Sequence, residues 1–477
     1  MTTLRSAVRA TAIAASALLV ASVVGAQAPA PADPTATLLT ELIRLNTSNP
    51  PGNEDIIGQF LAPKFKALGF ETWIIPTPQP GKSHFIARLR GDGSKKPILL
   101  AAHEDVVGVE REKWTVDPFA GVIKDGYVFG RGAIDFKGGM AVFVRAAMML
   151  AERKVPLARD VIFMAEADEE GAPLNTSWLA KDHWSLMDCE FALNEGGWII
   201  KRENGSVRYV SISTADKSSV SFTLTARGTS THSSMPRPDN AIFALSKALA
   251  KLADYDPEVQ LTPSTRQFFT TLGKTSQPPM SGYFADLVSG DPARVKRGDA
   301  EISKDPLLHS IMRNTIAPVI MNAGFRSNVI PGSAEAQINV RTIPGTDPRD
   351  IAAMLKRVIA DDRIEVKQLA GPGAARPDAA APPALVSSED TDLYRALVKE
   401  AKAQYPGAEV TSYLFQAGTD AGAWRSRGIP VYGIYPYAID NEDLSRMHGN
   451  DERVSIESLR QGTEMIYRTL VSVAAKK

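Results

Sequence analysis

Three apolar runs in this chain end abruptly in ionisable residues, and these junctions constrain the fold more than any other feature. Lys96–Ala102 (KPILLAA) runs straight into His103 and Asp105. Asp160–Ala165 (DVIFMA) is followed at once by EADEEG, and Glu190–Leu193 (EFAL) by NEGG. Short continuous apolar runs mark strands buried on both faces. Charged groups are costly inside such a strand, so they belong at its end. Ala36–Leu45, Asp55–Leu68 and Gly139–Arg153 carry helical spacing of apolar residues, and Pro430–Tyr435 (PVYGIY) adds a late strand. Strands separated by helices predict a doubly wound α/β sheet with parallel character. Ligands of such sheets bind outside the carboxyl ends of the strands.

Around Lys217 the texture changes. Val220–Ala226 (VSFTLTA) and Ala334–Val340 (AEAQINV) alternate apolar and polar residues, as half-solvated strands do. A helical pattern over Asn240–Tyr255 lies between them. Residues 216–343 therefore read as a second, smaller α/β domain inserted into the first, which comprises 29–215 and 344–477, with Pro344-Gly345 marking the return. The Pro/Ala/Gly-rich stretch 370–384 reads as a surface loop.

Residues 1–28 read as a secretory signal peptide. Arg5 and Arg9 precede an Ala-rich apolar stretch, Ala10–Val24, and then an A-x-A cleavage pattern, Ala26-Gln27-Ala28. The apolar stretch is short of the roughly 20 residues a membrane span needs. The expected location is periplasmic or secreted, with no membrane association after cleavage. The full chain has 54 basic and 54 acidic residues; losing Arg5 and Arg9 leaves 52 against 54, a net charge of −2. That balance argues against a nucleic-acid partner. The single cysteine, Cys189, rules out an internal disulfide framework and is expected to be packed.

The candidate chemistry gathers at the strand ends. His103 and Asp105 follow the first run, and Asp135 stands in the glycine-lined GRGAIDFKGG. Glu169 and Glu170 close DEE, Glu195 sits in NEGG, and His448 in MHG. Two histidines and three carboxylates suit a pair of divalent metals with a bridging acid, while a neighbouring carboxylate takes a proton from water. Other readings fail on single residues. Val107 breaks an HExxH, Asp135 takes the place of the third glycine of a GxGxxG, and no GxSxG occurs. His84, His183 and His309 lack such surroundings and read as structural.

The ordered set HEDVV, GRGAIDFKGG, DEEG, NEGG, THSSMP, SNVIPGSAEAQINVR, GTDA and MHG closely resembles the M20 family of metallopeptidases and aminoacylases. The likeness is greatest to its carboxypeptidase S-like branch, which includes N-acyl-amino-acid hydrolases; NTSNPPGNE fits that branch too. The resemblance implies a zinc-hydrolase catalytic domain, with a mixed, largely parallel sheet flanked by helices, and an inserted lid that often mediates homodimers. It implies two zinc ions, replaceable by Co2+ or Mn2+. His103, Asp135 and Glu195 would bind one, and Asp135, Glu170 and His448 the other. Glu169 would be the general base and acid, Asp105 would orient His103, and His232 would polarise the scissile carbonyl. Asn328 and Arg341 would hold the substrate carboxylate. The family often shows Asp-x-Arg where this chain has Asn339-Val340-Arg341. The implied activity is hydrolysis of an amide next to a free carboxylate, in a small peptide or an N-acyl amino acid. A non-catalytic binding protein on this fold would have lost Glu169 or a ligand, and none is lost.

Overall fold

A computed structural model of the chain describes residues 33–171, 173–370 and 384–476. Residues 1–32, which include the stretch expected to be a signal peptide, and all but the two end residues of the 370–384 stretch lie outside the described residues.

A ten-stranded mixed sheet forms the larger layer. Ile98–His103 lies inside it, parallel to Val161–Glu166 on one side and to Phe191–Asn194 on the other. Val431–Gly433 continues the parallel run beyond Phe191–Asn194. Every residue of Ile98–His103, Val161–Glu166 and Phe191–Asn194 is buried, which explains their unbroken apolar sequences. Because the three strands share a direction, their carboxyl ends meet at one edge, with His103 opposite Glu166. Antiparallel strands extend the sheet to Glu71–Pro76 at one side.

Helix Lys137–Glu152 packs on one face, buried along most of its length, with Ile456–Ala474 behind it. Lys137 is buried there, and its ammonium donates to the carbonyls of Leu42 (3.0 Å) and Leu45 (2.6 Å), at the end of helix Pro34–Arg44. That helix thus abuts the turn that carries Asp135. A smaller cluster, including Leu99, Ile162, Met187 and Trp424, fills the other face. Among the described residues no helix is long and apolar enough to cross a membrane.

The second layer is a four-stranded antiparallel sheet in the order Thr315–Ala323, Ser333–Thr342, Ser218–Arg227, Ile364–Gln368. Helices Ala241–Ala253 and Pro348–Ile359 share its core with Phe222, Leu224 and Ile338. Its extent differs from the stretch expected from sequence texture. Ile351, Leu355 and Ile364, beyond Pro344-Gly345, belong to this second core, because Ile364–Gln368 completes the sheet. Conversely Phe268, Leu272, Phe284 and Ile311, inside 216–343, pack in the core of the large layer. Alternation of residues identifies strands one by one, whereas only packing shows which core a helix joins.

Helix Ile456–Ala474 crosses the chain so closely that a Cβ on Gly462 would lie 1.5 Å from the Pro436 carbonyl oxygen. The crossing fixes the segment that carries Tyr435 and Tyr437. Gly462→Ala is expected to cost about 1–3 kcal/mol, the usual cost of overpacking. Thermal melting checks this, and an unchanged melting temperature would show that the crossing can relax.

Candidate metal centre

The parallel edge delivers the predicted groups to one place. His103 Nε2 lies 3.2 Å from Asp135 Oδ1 and 3.8 Å from Glu195 Oε2. His448 Nε2 lies 2.9 Å from Asp135 Oδ2 and 3.0 Å from Glu170 Oε1. Asp135 therefore faces one histidine with each oxygen. Atoms of His103, Glu169 and Glu195 converge within 4.8 Å, as do those of His103, Asp135 and Glu170. Glu169 thus stands among the ligand candidates rather than apart from them.

Local sequence explains the presentation of each group. Asp135 follows a turn in which Gly132 has φ +89°, a left-handed conformation that favours glycine. His448 itself adopts φ +59° in the loop after Asn441–Leu444. Asp105 does two jobs. Its backbone carbonyl accepts from His103 Nδ1 at 2.9 Å, nearer than its carboxylate at 3.5 Å. Its carboxylate accepts the backbone N–H groups of Glu169 (3.2 Å) and Glu170 (3.0 Å). Asp105 thus faces His103 Nδ1 with both its carbonyl and its carboxylate, and the carboxylate also shapes the DEE loop.

The electrostatics are those of a site that demands positive charge. Burial, with Asp420 and Glu170 adding repulsion, pushes Glu169 well above the ordinary carboxylate range despite the pull of His103. Burial and then Asp135 do the same to Glu195. Asp135 is held low: burial opposes, but hydrogen bonds from His103 and His448 prevail. Burial pulls His103 down, yet its bonds to Asp105 and Asp135 hold it well above its usual value. His448 is pushed up to about 10 by Asp135 and Glu170. Both imidazoles are thus drawn toward protonation, and a divalent cation would compete with those protons.

The donor set fits such cations. Bonds of about 2.0–2.1 Å at a tetrahedral angle set ligand atoms roughly 3.3 Å apart, close to the spacings among Asp135, Glu170, His448 and His103. Glu170 Oε1 is buried and accepts no hydrogen bond although His448 Nε2 is beside it. A third acidic group, Glu54, Asp105 and Asp168, also converges within 4.8 Å. There the cation is built in: the Lys82 ammonium contacts Asp168, and lies 3.0 Å from Asn49 Oδ1 and 3.8 Å from Glu54 Oε1.

Several of these groups escaped sequence reasoning. The Tyr435 hydroxyl lies 2.7 Å from Glu195 Oε2 and 3.0 Å from Asp135 Oδ1, with its ring stacked on Trp198 at 4.1 Å. Asn49 bridges Asp105 (2.8 Å) and Asp168 (2.9 Å). Asn49 sits in the NTSNPPGNE stretch, the one signal that could have marked it; Tyr435 lies in an apolar strand pattern that hides its hydroxyl.

The second layer holds the other expected residues. His232 is exposed, 2.8 Å from Ser234 Oγ, in a short strand paired with Val329, and the Asn328 carbonyl accepts the Ser233 N–H at 3.0 Å. Neither joins the metal-ligand cluster. Arg341 lines a cavity of about 420 Å³ with Val220, Ile343, Pro344, Leu385 and Gly418. Asn339, standing where the family often has an acid, donates to Ser219 (2.9 Å) and Ser221 (3.2 Å).

The remaining histidines and the cysteine are placed by packing. Cys189 is buried. His84 is fully buried behind the DEE loop, accepting from the Ala167 N–H (3.2 Å) and donating to the Leu174 carbonyl (2.9 Å).

The profile described as Peptidase family M20/M25/M40 matches residues 99–472. A "Probable carboxypeptidase S-like 2" from Dictyostelium discoideum is 31% identical over 388 residues, 80% of this chain and 72% of that protein. An "N-fatty-acyl-amino acid synthase/hydrolase" from Homo sapiens is 27% identical over 397 residues, 81% of this chain and 76% of that protein. In three dimensions, an M20 family metallo-carboxypeptidase from Sulfolobus solfataricus superposes with a TM-score of 0.67 at 19% identity, covering 92% of this chain and 98% of that one.

His84 supplies a pH test of the loop. Burial pushes its imidazole down to about 4 from 6.5, so it stays neutral in the folded protein. As pH falls below 6.5 the unfolded chain binds the proton first. Stability tied to His84 is therefore complete above pH 6.5 and is lost progressively toward pH 4. His84→Gln, which can keep both hydrogen bonds, is expected to flatten the fall in melting temperature between those values. Parallel slopes for parent and variant would exclude this histidine as the source.

Proposed function

The chain belongs to Peptidase family M20/M25/M40, and on that footing we propose that it is an exported two-metal hydrolase cutting an amide whose amine side bears a free carboxylate. That it is an M20-type hydrolase follows from the family. The convergence of His103, Asp135, Glu170, Glu195 and His448, with Glu169 among them, carries the two-metal reading. His103 and Glu195 would hold one cation, Glu170 and His448 the other, and Asp135 both. Zinc suits this nitrogen and oxygen set, with Co2+ or Mn2+ as substitutes.

Two divalent cations held here supply Lewis acidity and a water of lowered pKa. Glu169 takes a proton from the attacking water as its oxygen bonds to the carbonyl carbon. It hands that proton to the amine nitrogen as the C–N bond breaks. Asp105 keeps Glu169 in place by holding its backbone N–H. Tyr435 steadies Glu195 from the far side.

The Arg341 side chain makes no hydrogen bond or ion pair among the described residues, which leaves its guanidinium fork free for a substrate carboxylate. The apolar walls beside it suit the side chain or acyl portion of the same substrate. His232 and Asn328 would complete the site from the lid, His232 polarising the scissile carbonyl and Asn328 holding the carboxylate. Strand Thr315–Ala323 is exposed from Ala317 onward, and Met321 and Phe325 are 64% and 77% exposed. An uncovered apolar sheet edge of this kind suits a second copy of the chain, and we take it as the homodimer face. An N-acyl amino acid is the second reading of the substrate, favoured by the human relative's activity; it carries the same free carboxylate as a peptide C-terminus.

Glu169→Gln is expected to lower kcat by about 10²–10⁴-fold while metal content stays at the parental level. Metal analysis beside kinetics checks it, and loss of both would place Glu169 among the ligands instead. Dipeptides, longer peptides and N-acyl amino acids, each with a free or amidated C-terminus, test the substrate reading. Only free-carboxylate substrates should be cut, and Arg341→Ala should raise their KM at least tenfold, the loss of about 1.5–3 kcal/mol for a hydrogen bond to a charged group. Equal cleavage of amidated substrates would remove Arg341 from the site.

A further inference from the structure

We infer that Glu452 is a positioning residue for the second metal site: paired with Arg131, its carboxylate holds both Asp135 and His448 where they ligate. This rests on the two-metal reading above.

Glu452 is completely buried and Arg131 is 2% exposed. Burying such a pair costs several kcal/mol per ion unless further hydrogen bonds satisfy it. Glu452 is so satisfied by one turn, whereas Arg131 Nε is buried without a hydrogen-bond partner among the described residues. Oε1 accepts the backbone N–H groups of Ile134 (2.7 Å) and Asp135 (3.0 Å). Oε2 accepts the Gly132 N–H (3.1 Å) and Arg131 Nη1 (2.6 Å). The peptide that carries the bridging carboxylate is therefore hung on Glu452. The Glu452 backbone takes part as well, its carbonyl accepting from Gly130 N–H at 2.9 Å.

Arg131 extends the hold to the histidine. Its second arm, Nη2, donates to the His448 carbonyl (3.2 Å) and the Gly108 carbonyl (3.3 Å). His448 has a left-handed backbone and a half-exposed side chain, so the Arg131 bond to its carbonyl fixes the peptide from which its imidazole reaches Asp135 and Glu170. Strand Arg453–Ser455 pairs with Tyr127–Phe129, which brings Glu452 opposite the Asp135 turn. One ion pair thus ties together two ligands more than 300 residues apart in sequence. Apolar packing could stabilise the fold at this spot, but it could not orient two peptide groups at once.

The test is zinc titration of the metal-stripped mature protein against a competing chelator. Arg131→Lys keeps a cation beside Glu452 but lacks the fork that reaches His448. It is expected to retain one zinc equivalent at parental affinity and to bind the other about 10–100-fold more weakly, as loss of a supporting partner does elsewhere. Its kcat should recover in excess zinc. Glu452→Gln turns an amide NH2 against the N–H donors of the Asp135 turn and, because Asp135 serves both cations, should weaken both equivalents; where it does not fold, Arg131→Lys decides. A merely structural pair would lower the melting temperature of the metal-free protein and leave both affinities unchanged, which would overturn the inference. A parent protein holding fewer than two equivalents would instead sink the two-metal reading.

Discussion

Parallel pairing of three buried strands is the constraint on which the rest depends. Val161–Glu166, Ile98–His103 and Phe191–Asn194 run the same way, so their carboxyl ends share one edge. Whatever follows them is thrown together: His103 and Asp105 from one strand, the DEE loop from the next, Glu195 from the third. Antiparallel neighbours would have sent these groups to opposite edges. The price is a concentration of buried carboxylates that only positive charge can relieve.

That charge comes in two forms. Around Asp168 and Glu54 it is part of the chain, as the Lys82 ammonium. Around Asp135 no lysine intervenes; two imidazoles face its two oxygens, and both are drawn toward their protonated forms. Protons and divalent cations compete for these same ligand nitrogens. Both clusters bring carboxylates equally close, but only the one at Lys82 has its cation within the chain.

The second layer stands apart from this chemistry in its core and in its hydrogen bonds. Phe222, Leu224 and Ile338 pack among themselves and with two helices of the layer, while His232 and Asn328 keep to their own loop. Arg341 lines a cavity shared with Gly418 and Thr419 of the large layer, beside Asp420, which is buried close to His103. The cavity thus draws its walls from both layers.

Much of the reactive edge was legible in the chain itself. Apolar runs that end in HED, EADEEG and NEGG state both that the strands are buried and that their ends carry chemistry, because neither an isolated charge nor an acid triplet is stable inside a strand. Tertiary structure alone decided which of the acids share a cation with Lys82 and which face a histidine. It alone gave Tyr435, Asn49, Arg131 and Glu452 their partners, and Tyr435 in particular lies in an ordinary apolar strand pattern. It also assigned Phe268 to one core and Leu355 to the other. Local patterning reports the burial of an element, since that depends on the period of its own side chains. The partner of a side chain depends on segments hundreds of residues away, and those meet only once the chain has folded.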